Sequence, residues 1–183
     1  MPANLKVDLC VIGAGSGGLS VAAGSQQMGA STVLIEKGLM GGDCLNYGCV
    51  PSKALLAAGH AAEAIRHAPV FGISAGDTEI DSNKVYAHVR DTIAAIAPND
   101  SVERLEGFGV KVIQAAGRFT GPNEVVAGDT TIHARRFVIA TGSSAFVPPI
   151  NGLDTVPYLT NENVFDGPDL PEHLIVIGGG PIG

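Results

Sequence analysis

A chain of 183 residues is long enough for one ordinary domain, or for one domain and the beginning of another. With 45% hydrophobic residues, 16% charged residues and 25 glycines, it can bury a core and is not a disordered tail. The net charge of −7 comes without any basic block, which argues against nucleic acid as a partner, and three cysteines are too few for a disulfide framework.

No charged residue occurs from Leu9 to Ile35, a length that could pass for a membrane span. Its six glycines and the run Ser25-Gln26-Gln27 suit a bilayer badly and fit a buried strand, turn and helix better. A signal peptide is also a poor fit, because Lys6 is the lone basic residue and Asp8 interrupts the approach. The expectation is a soluble, cytoplasmic protein with no membrane partner.

In chain order, residues 7–12 (VDLCVI) read as an apolar strand buried on both faces, as a parallel strand would be. Residues 13–18 turn, 17–28 read as a helix stopped by Gly29, and 32–36 (TVLIE) as the next strand, a βαβ unit with a right-handed crossover. Residues 43–67 read as an interrupted helix punctuated by Gly48, Pro51 and Gly59, followed by loop at 69–80. A second helical region begins near Asp81, a plausible N-cap, and breaks at Pro98. From Val110 to Ile139 the pattern is short β segments, with turns at Gly121-Pro122-Asn123 and Gly128-Asp129. Residues 136–140 (RFVIA) read as another buried strand, 147–172 as a connector, and 174–177 (LIVI) as the start of a further strand.

Two G-x-G-x-x-G fingerprints follow apolar strands: Gly13, Gly15, Gly18 and then Gly178, Gly180, Gly183. Such a turn removes side chains where backbone must approach a pyrophosphate, and aims a helix N-terminus at that anion. In the first copy, Glu36 ends the next strand where a carboxylate would accept ribose hydroxyls, so glycine chosen only for packing is the weaker reading. The turn alone does not separate NAD from FAD. The third glycine of the second copy is the last residue, so the chain is expected to be a fragment.

Cys44 and Cys49 lie in GGDCLNYGCVPSK (residues 41–53). On a regular helix they would be separated by about 7.5 Å of rise and about 140°, beyond the roughly 6.8 Å between Cα atoms that a disulfide allows. Either they never bond or the backbone between them is distorted, with Gly48 and Asn46 supplying flexibility. A helix start favours the reactive thiolate, and Lys53 adds positive charge one turn after Cys49, which points to a redox-active dithiol. Two inert buried thiols are the competing reading. Zinc would need four ligands, and no C-x-x-C or H-x-x-x-H is present, so no metal site is expected. Cys10, inside the first strand, reads as a small core residue.

GGDCLNYGCVPSK resembles the redox-disulfide signature of the class I pyridine nucleotide-disulfide oxidoreductases, whose members include dihydrolipoamide dehydrogenase, mercuric reductase and glutathione reductase. VIGAGSGG, FVIATGS (137–143) and VIGGGPIG (176–183) match in order and spacing across essentially the whole chain, and GRFTGPNEV (117–125) is most similar to the dihydrolipoamide and mercuric enzymes. The resemblance implies an α/β fold. Residues 1–148 would be a Rossmann-like FAD-binding domain with a parallel sheet and a small antiparallel β section, and 149–183 a connector leading into a truncated NAD(P)-binding domain. It further implies a flavoprotein disulfide reductase, homodimeric when complete, passing electrons between NAD(P)H, FAD and a Cys44–Cys49 disulfide. The partner would be a small-molecule or protein-bound disulfide, or Hg(II) in a mercuric-type enzyme; a non-catalytic FAD-binding module is the other alternative.

By the same resemblance, Gly13, Gly15, Ser16, Gly17 and Gly18 would hold the FAD pyrophosphate and Glu36, with Lys37 beside it, the adenosine ribose. Gly42, Asp43 and Cys44 would line the path to the flavin. Cys49 would be the charge-transfer thiol, Cys44 the interchange thiol, and Lys53 would lie near flavin N5. Gly117 would approach the adenine, Thr141, Gly142 and Ser143 would cover the cofactor, and Gly178, Gly180 and Gly183 would begin the NAD(P)H site. Asp43 departs from the threonine often found there and is expected to turn toward backbone amides or solvent. The family's acid/base is a His–Glu pair of a C-terminal dimerisation domain. None of His60, His67, His88, His133 and His173 has a glutamate at the matching offset, so this chain alone is expected to lack turnover.

Overall fold

The computed structural model describes residues 3–167, 170–180 and 182–183. Two residues of the expected connector (168–169) and one of the second fingerprint (181) therefore lie outside the described residues. The chain divides into two compact units, one formed by residues up to Asn46 with Ala94–Ser144, the other by Tyr47–Ile93 with residues from Ala145 onward.

The first unit is built on one sheet. Strand β1 (Ala3–Ile12) leads through the glycine turn into helix α1 (Ser16–Gln27), which returns the chain to β2 (Thr32–Glu36). Helix α1 ends as its glycine stop implies: Gly29, at φ +89°, donates its N–H to the Gln26 carbonyl. A short helix α2 (Gly42–Asn46) closes this stretch of the unit. After the chain returns, helix α5 (Val102–Gly107) precedes β3 (Lys111–Gln114), β4 (Gly117–Gly121), β5 (Glu124–Ala127) and β6 (Thr130–Ile139). The strand order is β3-β2-β1-β6-β5-β4, parallel from β3 to β6 and antiparallel from β6 to β4. The expected α/β fold, with a parallel sheet and a small antiparallel section, is what the chain adopts.

Apolar runs without alternation follow from burial on both faces. Cys10, Val33 and Ile35 pack with Val125, Ala127, Ile132 and Ala134 on one side of the sheet. Val11 and Leu34 pack with Leu19 and Ala22 of α1 and Leu105 of α5 on the other. Burial pushes the Cys10 thiol up to about 11, so it stays protonated and inert at neutral pH.

Three elements of this first unit differ from the sequence reading. β1 and β6 are each ten residues long, because Ala3–Lys6 pair with Thr130–His133 in the same parallel register that joins Ile12 to Ile139. At the end of β6, Ile139 is 70% exposed, so RFVIA is not a strand buried throughout. Helix α5 is too short for an apolar period to announce it; its local signal is Ser101, whose hydroxyl accepts the Arg104 N–H as an N-cap.

In the second unit, α3 (Cys49–His67) ends in a 3-10 turn at Ala68–Phe71. Gly59 does not interrupt it, since a lone glycine only weakens a helix. Pro51 lies in its first turn, where a missing N–H costs no intrahelical bond. Asp81 caps α4 (Ser82–Ile96) by accepting the Lys84 N–H at 3.2 Å, and Pro98 lies in a 3-10 turn that ends it. Residues 174–177 are not a strand. They have no ladder partner among the described residues, and their side chains stay 55–77% exposed.

Candidate functional site

The first fingerprint lies where β1 ends, and its glycines do different work. A Cβ at Gly13, which has φ +107°, would fall 2.2 Å from the Ala140 carbonyl oxygen, and one at Gly18 would fall 1.8 Å from the Gly13 carbonyl oxygen. Both are demanded by the chain's own packing. Gly15 has ordinary extended geometry (φ −76°), and a Cβ there would meet only the Gly42 Cα at 3.9 Å; at Gly17 it would meet nothing within 4 Å. The absence of side chains at 15 and 17 thus leaves room outside the protein.

That room lies at the start of α1. Gly15 is the N-cap and brings no side-chain acceptor, and the first turn holds no acidic residue. The Ser16 N–H faces the Gly41 carbonyl across the Gly15–Gly41 bridge, and the Gly17 and Gly18 amides of this twelve-residue helix are left to an external acceptor, the arrangement that binds pyrophosphate. The residues fit the phosphate half of a dinucleotide.

Beside the turn, Glu36 ends β2. Its Oε2 accepts the Ala14 N–H at 2.6 Å and its Oε1 the Gly38 N–H at 2.7 Å. A carboxylate offers about four acceptor positions, so lone pairs remain for sugar hydroxyls. Lys37 is exposed. On the other flank the Ala140 N–H donates to the Ile12 carbonyl at 2.8 Å, which leads β6 into Thr141, Gly142 and Ser143, all exposed, with Thr141 beside Gly13. Gly117 is exposed on β4, and a Cβ there would sit 3.4 Å from Ile35.

The wall opposite Gly15 is a second glycine turn. The Gly41 N–H donates to the Ala14 carbonyl at 2.9 Å, and a Cβ at Gly42 would lie 2.6 Å from the Gly15 Cα. Asn46 donates its amide to the carbonyls of Met40 (3.0 Å) and Gly42 (2.9 Å). Read as a source of flexibility, Asn46 is a clamp; the helical path breaks after it, at Tyr47 and Gly48, where Gly48 has φ −137° and ψ −111°. The backbone between the cysteines is therefore distorted. Half-buried Cys44 belongs to α2, with the exposed Asp43 side chain turned to solvent.

In the second unit, Cys49 is an exposed thiol in the first turn of α3, whose N-cap Gly48 supplies no side-chain acceptor, and Lys53 follows one turn later, also exposed. The second fingerprint repeats the first: Gly178 has φ +127°, and a Cβ at Gly183 would lie 2.3 Å from the Gly178 carbonyl oxygen. Gly180 is exposed. The five histidines are exposed or half-buried; His67 contacts Glu63 at 2.8 Å along α3, and His133 contacts Glu124 at 3.5 Å across β5 and β6. Among the described residues, no cluster of His, Cys, Asp and Glu is arranged to hold a metal ion, and no helix is long and apolar enough to cross a membrane.

The family model described as pyridine nucleotide-disulphide oxidoreductase matches residues 7–183. The chain belongs to this family. Its members use FAD and NAD(P)H, in keeping with the anion-ready turn at Gly15. The chain is 35% identical to a mercuric reductase of Streptomyces lividans, over 100% of its own length and 40% of the relative's. It is 37% identical to a dihydrolipoyl dehydrogenase of Thermus scotoductus (96% and 38%) and 32% identical to one of Acholeplasma laidlawii (97% and 54%). The chain thus spans from well under half to about half of the curated relatives it matches.

Proposed function

We propose that the chain is the FAD-binding part of an NAD(P)H-linked oxidoreductase that passes electrons to or from a disulfide through Cys44 and Cys49, most like dihydrolipoamide dehydrogenase. The observation that carries the proposal is the open start of α1, where Gly15 and Gly17 leave room for a pyrophosphate before the Gly17 and Gly18 amides, which have no capping partner among the described residues, in a chain that also bears the cysteine pair.

In this reading the amides around Gly15, Ser16, Gly17 and Gly18 receive the pyrophosphate, while Gly13 keeps the turn tight against Ala140. Glu36 takes the ribose hydroxyls, and its bond to the Ala14 N–H ties the sugar subsite to the phosphate subsite. Lys37, Gly42, Asp43, Gly117, Thr141, Gly142 and Ser143 border the cofactor, and Gly178, Gly180 and Gly183 begin the pyridine nucleotide site. Bound FAD would supply a two-electron carrier between nicotinamide and thiols. Cys44 exchanges with the substrate, Cys49 faces the carrier, and Lys53 adds positive charge beside it. The balance is disulfide plus NAD(P)H plus a proton giving two thiols and NAD(P)⁺, or the reverse. The complete protein is a homodimer in this reading, residues 1–148 form its FAD domain, and 149–183 lead into the NAD(P) domain.

Cys49→Ser in the full-length protein should abolish disulfide reduction and leave FAD bound. Loss of FAD with activity retained would refute the assignment. A second reading, Hg(II) as the electron acceptor, is favoured by the likeness to the Streptomyces lividans protein over the whole chain. NAD(P)H oxidation driven by Hg(II) but not by lipoamide would decide for it.

A further inference from the structure

We infer that Asn46 is a positioning residue for the cofactor turn and for Cys44, an inference that rests on the proposed function only for the identity of what is positioned. Gly41 and Gly42 have φ of +87° and +55°, and a Cβ at either would strike Leu45 or Gly15. The chain therefore passes Gly15 at backbone contact through two consecutive residues that have the most freedom to lose. Something must hold them.

The Gly41 N–H bond to Ala14 is one restraint. The other is Asn46, whose amide nitrogen reaches the carbonyls on either side of Gly41, at Met40 and at Gly42. Both partners are pure acceptors, so it is the NH₂ group that points inward, one hydrogen for each carbonyl. Residues 40–42 are held by Asn46 through the Met40 and Gly42 carbonyls and by Ala14 through the Gly41 N–H. Cys44 lies between Gly42 and Asn46 on α2, so the same clamp that sets the width of the opening above Gly15 also sets where this sulfur is presented. Asn46 acts through Gly42 and Cys44.

The test uses the full-length protein with Asn46→Asp, which keeps the shape but turns carboxylate oxygens toward two carbonyls, and Asn46→Ser, a milder variant in case the first does not fold. Hydrogen exchange of the peptide covering residues 38–46 should accelerate about tenfold or more, while exchange in β2 stays at the wild-type rate. FAD release should quicken by a similar factor. After reduction, the alkylation rate at Cys44 should change severalfold while that at Cys49 stays within about twofold, a split that general destabilisation would not produce. Wild-type exchange at 38–46 together with an unchanged Cys44 rate, in whichever variant folds, would overturn the inference. A wild-type protein that holds no FAD would sink the proposed function instead, and the exchange and alkylation arms would still decide on the clamp.

Discussion

The contrast between Gly15 and Gly18 turns the reading of the cofactor turn into a measurement. At Gly18 an added methyl would lie 1.8 Å from a backbone oxygen, and neither side is a flexible side chain that can yield. Overpacking of this kind costs about 1–3 kcal/mol or more, and backbone on both sides puts Gly18→Ala at the upper end. At Gly15 the methyl would meet only the Gly42 Cα at 3.9 Å, and φ −76° is open to alanine. Alanine is a poorer N-cap than glycine by roughly 1 kcal/mol, but it removes about 0.4–1 kcal/mol of unfolded-chain entropy. Gly15→Ala should therefore change the stability of the FAD-free protein by less than about 1 kcal/mol. The same methyl stands where the pyrophosphate must approach the first helical amides. FAD affinity should fall about a hundredfold, equivalent to about 2.7 kcal/mol. Stability is to be measured by denaturant unfolding of FAD-stripped protein, because bound ligand would add its own stabilisation. Affinity is read by fluorescence titration with FAD. Undiminished FAD binding by Gly15→Ala would refute the argument that this glycine faces the ligand. Equal destabilisation by both substitutions would refute the division of labour between them.

Asp81 has its carboxyl held below the ordinary aspartate value of 3.8, first by the Lys84 backbone N–H it accepts. A lowered folded value means that its contribution is present above the unfolded value and is lost as pH falls through the folded one. Protection factors at the start of α4, which are exchange rates corrected for the pH dependence of intrinsic amide exchange, should fall on acidification in the wild type, whereas Asp81→Ala should show low protection throughout and no such step. At Cys10, alkylation of the reduced but still folded, FAD-stripped protein at pH 8 should be negligible while Cys49 reacts readily, and denaturation should equalise the two. Mass spectrometry of labelled peptides checks this, and rapid native labelling of Cys10 would contradict its burial.

Local signals in the chain were enough for the βαβ frame. The spacing of Gly13, Gly15 and Gly18, the uninterrupted apolar runs of β1 and β2, the Asp81 cap and the Pro98 break each act within a turn or a strand, so the residues that cause them are neighbours in sequence. The cysteine motif was legible for the same reason. What the tertiary structure decided depends on partners far apart in the chain. Ala3–Lys6 are strand because Thr130–His133 lie beside them, and 174–177, just as apolar, are not strand because nothing pairs with them among the described residues. Spacing also could not tell which glycines pack and which leave room, since Ala140 and Gly42 make that distinction from elsewhere. Asn46 is a different case, because its partners lie only six and four residues back. A polar residue between two cysteines carries no periodic signal; α2 brings its Gly42 target within reach, while Met40 lies before Gly41 and Gly42, whose positive φ turns the chain against Gly15.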